Sequence, residues 1–203
     1  MNKKELVFAQ YESLPNGTIF TTLDFNFPIT DKELKIILIS EIESGKIRIV
    51  LSQVYYKVRF FTISNIHNKV LRPDVETVLN CLTQRTGMLF QTHGGVAANR
   101  LHLSTQVPVM EVFYTTGRTK DTYIGGHLVR FNRTRSLYVF QYPFEPTGWA
   151  ISALYGFGPE IVDVNLLKKV KEVLKEEDYE KFWKADKPRW LARLLVELNM
   201  DIK

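Results

Sequence analysis

The tightest constraint in this chain is a helix that has to end and is followed at once by two alternating runs. Residues 30–44 place Leu34, Ile37, Leu38 and Ile42 on one face, the spacing of an amphipathic helix. Thr30 or Asp31 can cap its start, and Glu33 stands three residues after Thr30, as a capping box requires. Gly45 is placed to close it as the left-handed residue past the last turn. Residues 46–51 (KIRIVL) and 54–60 (VYYKVRF) then alternate as strands around a short turn at Ser52–Gln53, which predicts a hairpin. Ahead of them, residues 4–14 read as a helix stopped by Pro-Asn-Gly at 15–17. Ile19 and Phe20 can begin a short strand, and Thr21 or Thr22 can cap a short helix. Helix, strand, short helix, helix, hairpin is the order of a winged helix–turn–helix, in which the third helix enters the DNA major groove and the hairpin lies along the backbone.

Charge decides less than this order. The net charge of +5 is a mild basic excess, compatible with nucleic acid without requiring it. Residues 1–60 hold 8 Lys+Arg against 7 Asp+Glu, whereas residues 61–135 hold 9 against 4, so the excess lies in the middle third. Thr30, Lys32 and Lys35 stand in the N-terminal half of the 30–44 helix, where base contacts would be made. Lys46, Arg48, Lys57 and Arg59 on the hairpin have the side chains that grip phosphates. The bland reading is that these are solvated lysines on a nearly neutral module, with Glu33, Glu41 and Glu43 of the same helix opposing DNA. An arginine-rich middle segment gripping an acidic partner, or aromatic-flanked arginines stacking RNA bases, are the competing interpretations.

Residues 61–73 are polar with one proline and read as a linker. The expected domains are therefore 1–62, the winged module, and 70–203, a mixed α/β domain with a helical C-terminus; the fold class is α+β. A helix is expected from Asp74 to Phe90, with Val75, Val78, Leu79 and Leu82 inward. His93–Gly95 reads as a turn and residues 96–101 as a short helix. Strands are expected over 109–116, 122–124, 128–131 and 136–142, with Gly125–Gly126 making a tight hairpin. From Glu145 onward the pattern is helical.

No constellation for catalysis stands out. His67, His93, His102 and His127 lack metal-ligand spacing, no GxSxG elbow follows the His-Gly-Gly string, and no phosphate-binding GxxxxGK[ST] is present. Asn99 and Ser104–Gln106 fit local backbone capping better than chemistry. No enzyme activity, metal or cofactor is expected. Cys81 is the only cysteine, so an intrachain disulfide is impossible; no membrane span and no secretory leader are read, and a cytoplasmic protein is expected.

One stretch carries a family resemblance. Residues 94–108, GGVAANRLHLSTQVP, resemble the signature G-x-x-A-A-N-x-L-x-L-S-T-Q-V-P of the AbiE-type antitoxins of abortive-infection, type IV toxin–antitoxin systems. TQRTGM at 83–88, VFYTTG at 112–117, IGGHLVRFNRT at 124–134 and residues 175–194 resemble that family's R-T-G helix end, strand, hairpin and C-terminal helices. TIFTTLDF at 18–25 and the SGKIR and YYK segments resemble its N-terminal winged helix. Two departures fall in the wing: Gln53 stands where a glycine is frequent, and Val58 where a proline often follows the lysine.

The resemblance implies a non-enzymatic protein that represses its own promoter by binding operator DNA, as a homodimer where the site is palindromic. It further implies that the second domain counteracts a nucleotidyltransferase-like toxin. The arginine excess of the middle third makes Arg100, Arg118, Arg130 and Arg133 the candidate partner surface. A protein-interaction module, or an orphan transcriptional regulator without a cognate toxin, is the alternative.

Overall fold

Four helix starts are written locally. Asn2, Thr30, Asp74 and Asp163 each accept a hydrogen bond from a first-turn amide, of Glu5, Glu33, Thr77 and Leu166 respectively, satisfying a donor the helix cannot. The computed structural model describes residues 2–51, 53–63 and 66–201, and the chain is a mixture of helices and small sheets. It divides into two compact units, one of residues 1–88 with 123–127, the other of 89–122 with 128–203.

In the first unit the order is α1 (Lys3–Ser13), β1 (Ile19–Phe20), a 3₁₀ turn (Thr22–Asp24), α2 (Asp31–Ile37), α3 (Ile39–Glu43), β2 (Ile47–Leu51) and β3 (Val54–Lys57). These strands form one antiparallel sheet in the order β1-β3-β2, with Phe20 opposite Tyr55 and Arg48 opposite Tyr56. The core beneath it holds Val7, Tyr11, Phe20, Leu34, Leu38, Ile47 and Tyr55, and the Phe20 and Tyr55 rings stack with centroids 5.5 Å apart. Thr30 caps α2 with its expected Glu33 partner, and Lys3 donates to Glu33 at 2.7 Å, tying α1 to α2.

The helix expected over 30–44 is instead two, broken at Leu38. Ile36, Ile37 and Ile39 form a β-branched run there, the side chains that lose most χ1 freedom against a preceding helical turn. Leu34 and Leu38 are both fully buried, so the apolar stripe survives the break. Of the expected turn at Ser52–Gln53, Ser52 lies outside the described residues, and Gln53 adopts a left-handed φ of 65°.

Residues expected to be a linker form a second hairpin, β4 (Phe60–Ile63) with β5 (Ile66–Val70), antiparallel; Ser64 and Asn65 lie outside the described residues. Phe60, Phe61, Ile63 and Ile66 are strand-forming residues that the polar flanks obscure. The unit continues through α4 (Val75–Thr86), whose Val75, Val78, Leu79 and Leu82 are buried as expected. The segment between 62 and 70, where a domain boundary is expected from composition, therefore lies inside this unit, which runs to Met88. Cys81 on α4 is half-buried, and burial pushes its thiol up.

The second unit contains β6 (Phe90–Thr92), α5 (Gly94–Arg100), β7 (Glu111–Thr115) and most of β8 (Lys120–Ile124) and β9 (His127–Arg133), whose strands form a sheet ordered β6-β7-β9-β8 with β7 and β9 parallel. Gly125 and Gly126, at φ 56° and 89°, make the β8–β9 turn expected of a Gly-Gly pair. Helices α6 (Pro146–Phe157), α7 (Val164–Val173), α8 (Glu176–Lys184) and α9 (Arg189–Asp201) come next, enclosing Ile151, Leu154, Leu167, Val170, Phe182, Leu191 and Leu195.

Two local expectations change here. Gly94 and Gly95 open α5 rather than turning the chain. A Cβ on Gly94 would sit 2.7 Å from Gly156 Cα and 2.7 Å from Ser152 O, so glycine is what lets α5 and α6 touch backbone to backbone. Ser152 Oγ donates to Thr92 O at 2.5 Å in the same contact. The expected strand over 136–142 is a 3₁₀ turn (Leu137–Phe140), in which Val139 and Phe140 are buried consecutively rather than alternately. Buried Gln91 organises the chain leaving that turn: its Nε2 donates to the carbonyls of Gln141 and Tyr142, and its Oε1 accepts from Phe144 N. Among the described residues no helix is long and apolar enough to cross a membrane.

Candidate nucleic-acid interface

Helix α2 stands beside the β2–β3 hairpin, and the two enclose a groove of about 350 Å³ lined by Asp31, Lys32, Lys35, Ile49, Gln53 and Tyr55. Lys32 and Lys35 are one helical turn apart and both exposed, so their ammonium groups can point outward from the same helix face. Ile49, on β2, is 44% exposed beside them, an apolar surface among cations. Arg48, its neighbour, is also exposed.

The acidic residues expected to repel DNA are largely occupied. Glu33 holds the Thr30 amide at 2.8 Å and accepts from Lys3. The Lys3 hydrogen bond first, and those from Thr30 next, hold its carboxyl down to about 2. Glu41 pairs with Lys46 at 3.0 Å, with its side chain only 16% exposed. Glu43 is exposed.

The same contacts sort the seven candidate DNA residues. Lys32 and Lys35 line the groove, while Arg48 is exposed on β2 outside its lining. Thr30 is committed to its cap, its hydroxyl donating to Glu33 Oε2 at 2.9 Å. Lys46 neutralises Glu41. Lys57 points the other way: its Nζ donates to the carbonyls of Tyr11, Glu12 and Leu14 at 3.0, 3.2 and 2.7 Å and lies 4.5 Å from the Tyr11 ring centroid. It satisfies the orphan carbonyls at the end of α1, as a cation near a helix C-terminus does, and is thereby turned away from the groove. Arg59 is exposed, and its side chain runs over Gly17.

Two residues that line the groove are not cations and escape a search for them, and a third residue ties them together. Asp31 is the first residue of α2, Gln53 sits at the hairpin turn, and Arg85 reaches both from the last turn of α4. Arg85 lies in the R-T-G string, but neither its spacing nor its charge discloses partners dozens of residues away.

In the second unit the four candidate arginines divide in the same manner. Arg130 makes a two-pronged pair with Asp121, both bonds 2.8 Å, which lowers the carboxyl and raises the guanidinium. Arg100 lies 5.0 Å from the Trp149 ring centroid, a cation–π contact. Arg118 and Arg133 are exposed near the ends of β7 and β9. A smaller recess of about 190 Å³ is lined by His93, Gly95, Val96, Gln106, Val107, Pro108 and Val112.

His93 is the most reactive-looking group of that recess, and its contacts are structural. Its Nδ1 accepts from Gly95 N at 3.3 Å to cap α5, its ring lies 4.4 Å from that of Tyr114, and burial holds it below its usual value. Neutral imidazole with Nδ1 as acceptor carries its proton on Nε2. Asn99 donates to Ser104 O at 3.4 Å, and Ser104 Oγ accepts from Gln106 N, the backbone-holding roles expected of both. Among the described residues no cluster of three metal-ligating side chains occurs.

A family profile matches residues 7–182, and the chain belongs to that family, which is one of unknown function (DUF6088). No curated protein matches the chain, and no solved structure does.

Proposed function

We propose that this member of the family is an operator-binding autorepressor and antitoxin, whose first unit is a winged helix–turn–helix that reads DNA. The observation that carries the reading is the order α1, β1, 3₁₀ turn, α2–α3, β2, β3 closed as a β1-β3-β2 sheet, with Lys32 and Lys35 lining the groove between helix and hairpin and Arg48 exposed on the hairpin outside that lining. A winged helix uses this connectivity to present one helix to the major groove and the hairpin to the backbone. Pairing of Glu33 and Glu41 with Lys3 and Lys46 favours the same reading, because it removes two unpaired anions from α2 and α3. Antitoxin action rests on the likeness of residues 94–108 and their flanks to the antitoxin signature, and is assigned to the second unit.

The test is a gel shift on the duplex upstream of the reading frame, with wild type and a Lys32→Ala/Lys35→Ala/Arg48→Ala variant, across a salt series. Each phosphate contact removed lowers the log–log salt slope by roughly one. A variant that binds like wild type contradicts this choice of surface. The same variant, co-expressed with the neighbouring reading frame, is expected to keep any rescue of growth, since its second unit is intact. Absence of toxicity from that frame, with operator binding preserved, leaves a regulator without a cognate toxin.

A further inference from the structure

Arg85 bonds three separate elements of the first unit, and it belongs to none of the elements of the winged module. It sits in the last turn of α4 with its side chain only 14% exposed. Its Nη1 donates to Thr22 Oγ1 at 2.9 Å, and its Nη2 donates to Gln53 Oε1 at 2.6 Å and pairs with Asp31 Oδ2. Those acceptors come from three elements: the 3₁₀ turn, the first residue of α2 and the hairpin turn. A guanidinium presents planar donors in fixed directions, so three acceptors met at once fix one another's positions, which a lysine's single rotating ammonium does not do.

Two of the partners need that help. Asp31 Oδ1 is buried with no hydrogen-bond partner, so Arg85 supplies the compensation for a carboxylate drawn from water. Gln53 holds a φ of 65°, a conformation non-glycine residues adopt uncommonly, and its side chain is tied to Arg85. Asp31 and Gln53 both line the groove that contains Lys32 and Lys35.

We infer that Arg85 is a positioning residue for DNA recognition: from α4 it sets the spacing between the start of α2 and the hairpin turn, and so the register in which Lys32 and Lys35 meet the duplex. This deepens the operator-binding reading and rests on it.

The experiment measures affinity of full-length Arg85→Lys for the upstream duplex and for an unrelated duplex, across salt. Preference for the upstream duplex is expected to fall roughly tenfold, the equivalent of one lost base contact. The salt slope is expected to stay at the wild-type value, because no phosphate contact is removed, whereas Lys32→Ala lowers it by about one. Wild-type preference in Arg85→Lys overturns the inference, and so does a slope lowered as in Lys32→Ala, which would make Arg85 a phosphate ligand. Gln53→Gly suits the left-handed turn while cutting the tie to Arg85, and it carries the same expectations if Arg85→Lys does not fold. A wild-type protein with no preference between duplexes refutes operator binding itself. Amide exchange without DNA then decides the positioning role: faster exchange over Asp31–Ile37 and Val54–Lys57 in the variant sustains it, and unchanged exchange sinks it.

Discussion

Replacing Gly94 by alanine should destabilise the protein, and replacing its neighbour Gly95 should not. Alanine exceeds glycine as a helix former by roughly 0.5–1 kcal/mol, and both residues stand in α5, so local propensity favours both substitutions. Tertiary contact separates them. The Gly94 methyl would meet Gly156 Cα and Ser152 O, both at 2.7 Å, closer than real Cβ atoms come and against backbone that no rotamer change can move. Overpacking of this kind costs about 1–3 kcal/mol. After the propensity gain the net loss is on the order of 1–2 kcal/mol, or roughly 2–8 °C at about 2–4 °C per kcal/mol for a chain of this length. The Gly95 methyl would meet only His93 Nδ1, at 3.9 Å, an ordinary contact. Gly95→Ala is therefore neutral or stabilising by up to roughly 1 kcal/mol. Thermal unfolding followed by circular dichroism compares the two. Gly94→Ala melting with wild type, or Gly95→Ala melting below Gly94→Ala, would refute the claim that α5 and α6 meet through this glycine contact.

Lys57→Met removes the donor to three carbonyls at the end of α1 and should cost about 2 kcal/mol, while leaving the salt slope of DNA binding unchanged; a lower slope would return Lys57 to the DNA surface. Burial holds His93 below its usual value, so the folded state disfavours its proton. Its contribution is complete above the ordinary histidine value of about 6.5 and is lost as pH falls through the lower folded value. His93→Asn keeps a capping oxygen and should flatten the fall in melting temperature between about pH 7 and 5, and equal pH profiles would show that another group is responsible. Glu33, held at about 2, titrates well below that window. Asp121→Asn breaks an exposed pair and should leave the urea midpoint close to wild type; a clear loss would mean the Arg130 pair has a structural role that its exposure belies.

Much of the fold and part of the site are legible in the letters alone. Thr30 with Glu33, Asp74 with its apolar face, and Gly125–Gly126 act on residues within a few positions of themselves, so their consequences are written in neighbouring letters. Lys32 and Lys35 follow from helix periodicity in the same way. The residues misplaced by local pattern are those whose partners are far away in sequence. Lys57 looks like any hairpin cation until the end of α1, more than forty residues earlier, is folded against it. The polar 61–73 stretch looks like a linker until β4 finds β5, and the alternation over 136–142 is overruled by Gln91, which claims the carbonyls of Gln141 and Tyr142.

Neighbouring letters therefore set the capped starts of α2 and α4, the inward face of each, and the helix–hairpin order that suggests a DNA-binding module. Only the tertiary structure decided which cations remain available and which are spent. Lys32 and Lys35 are left to the groove, Lys46 and Lys57 are consumed within the fold, and Arg85 is recruited to hold Thr22, Asp31 and Gln53 together. The physical reason is that a charge is satisfied by whatever lies within about 3–4 Å of it, and for Arg85 those atoms are 63, 54 and 32 residues away along the chain.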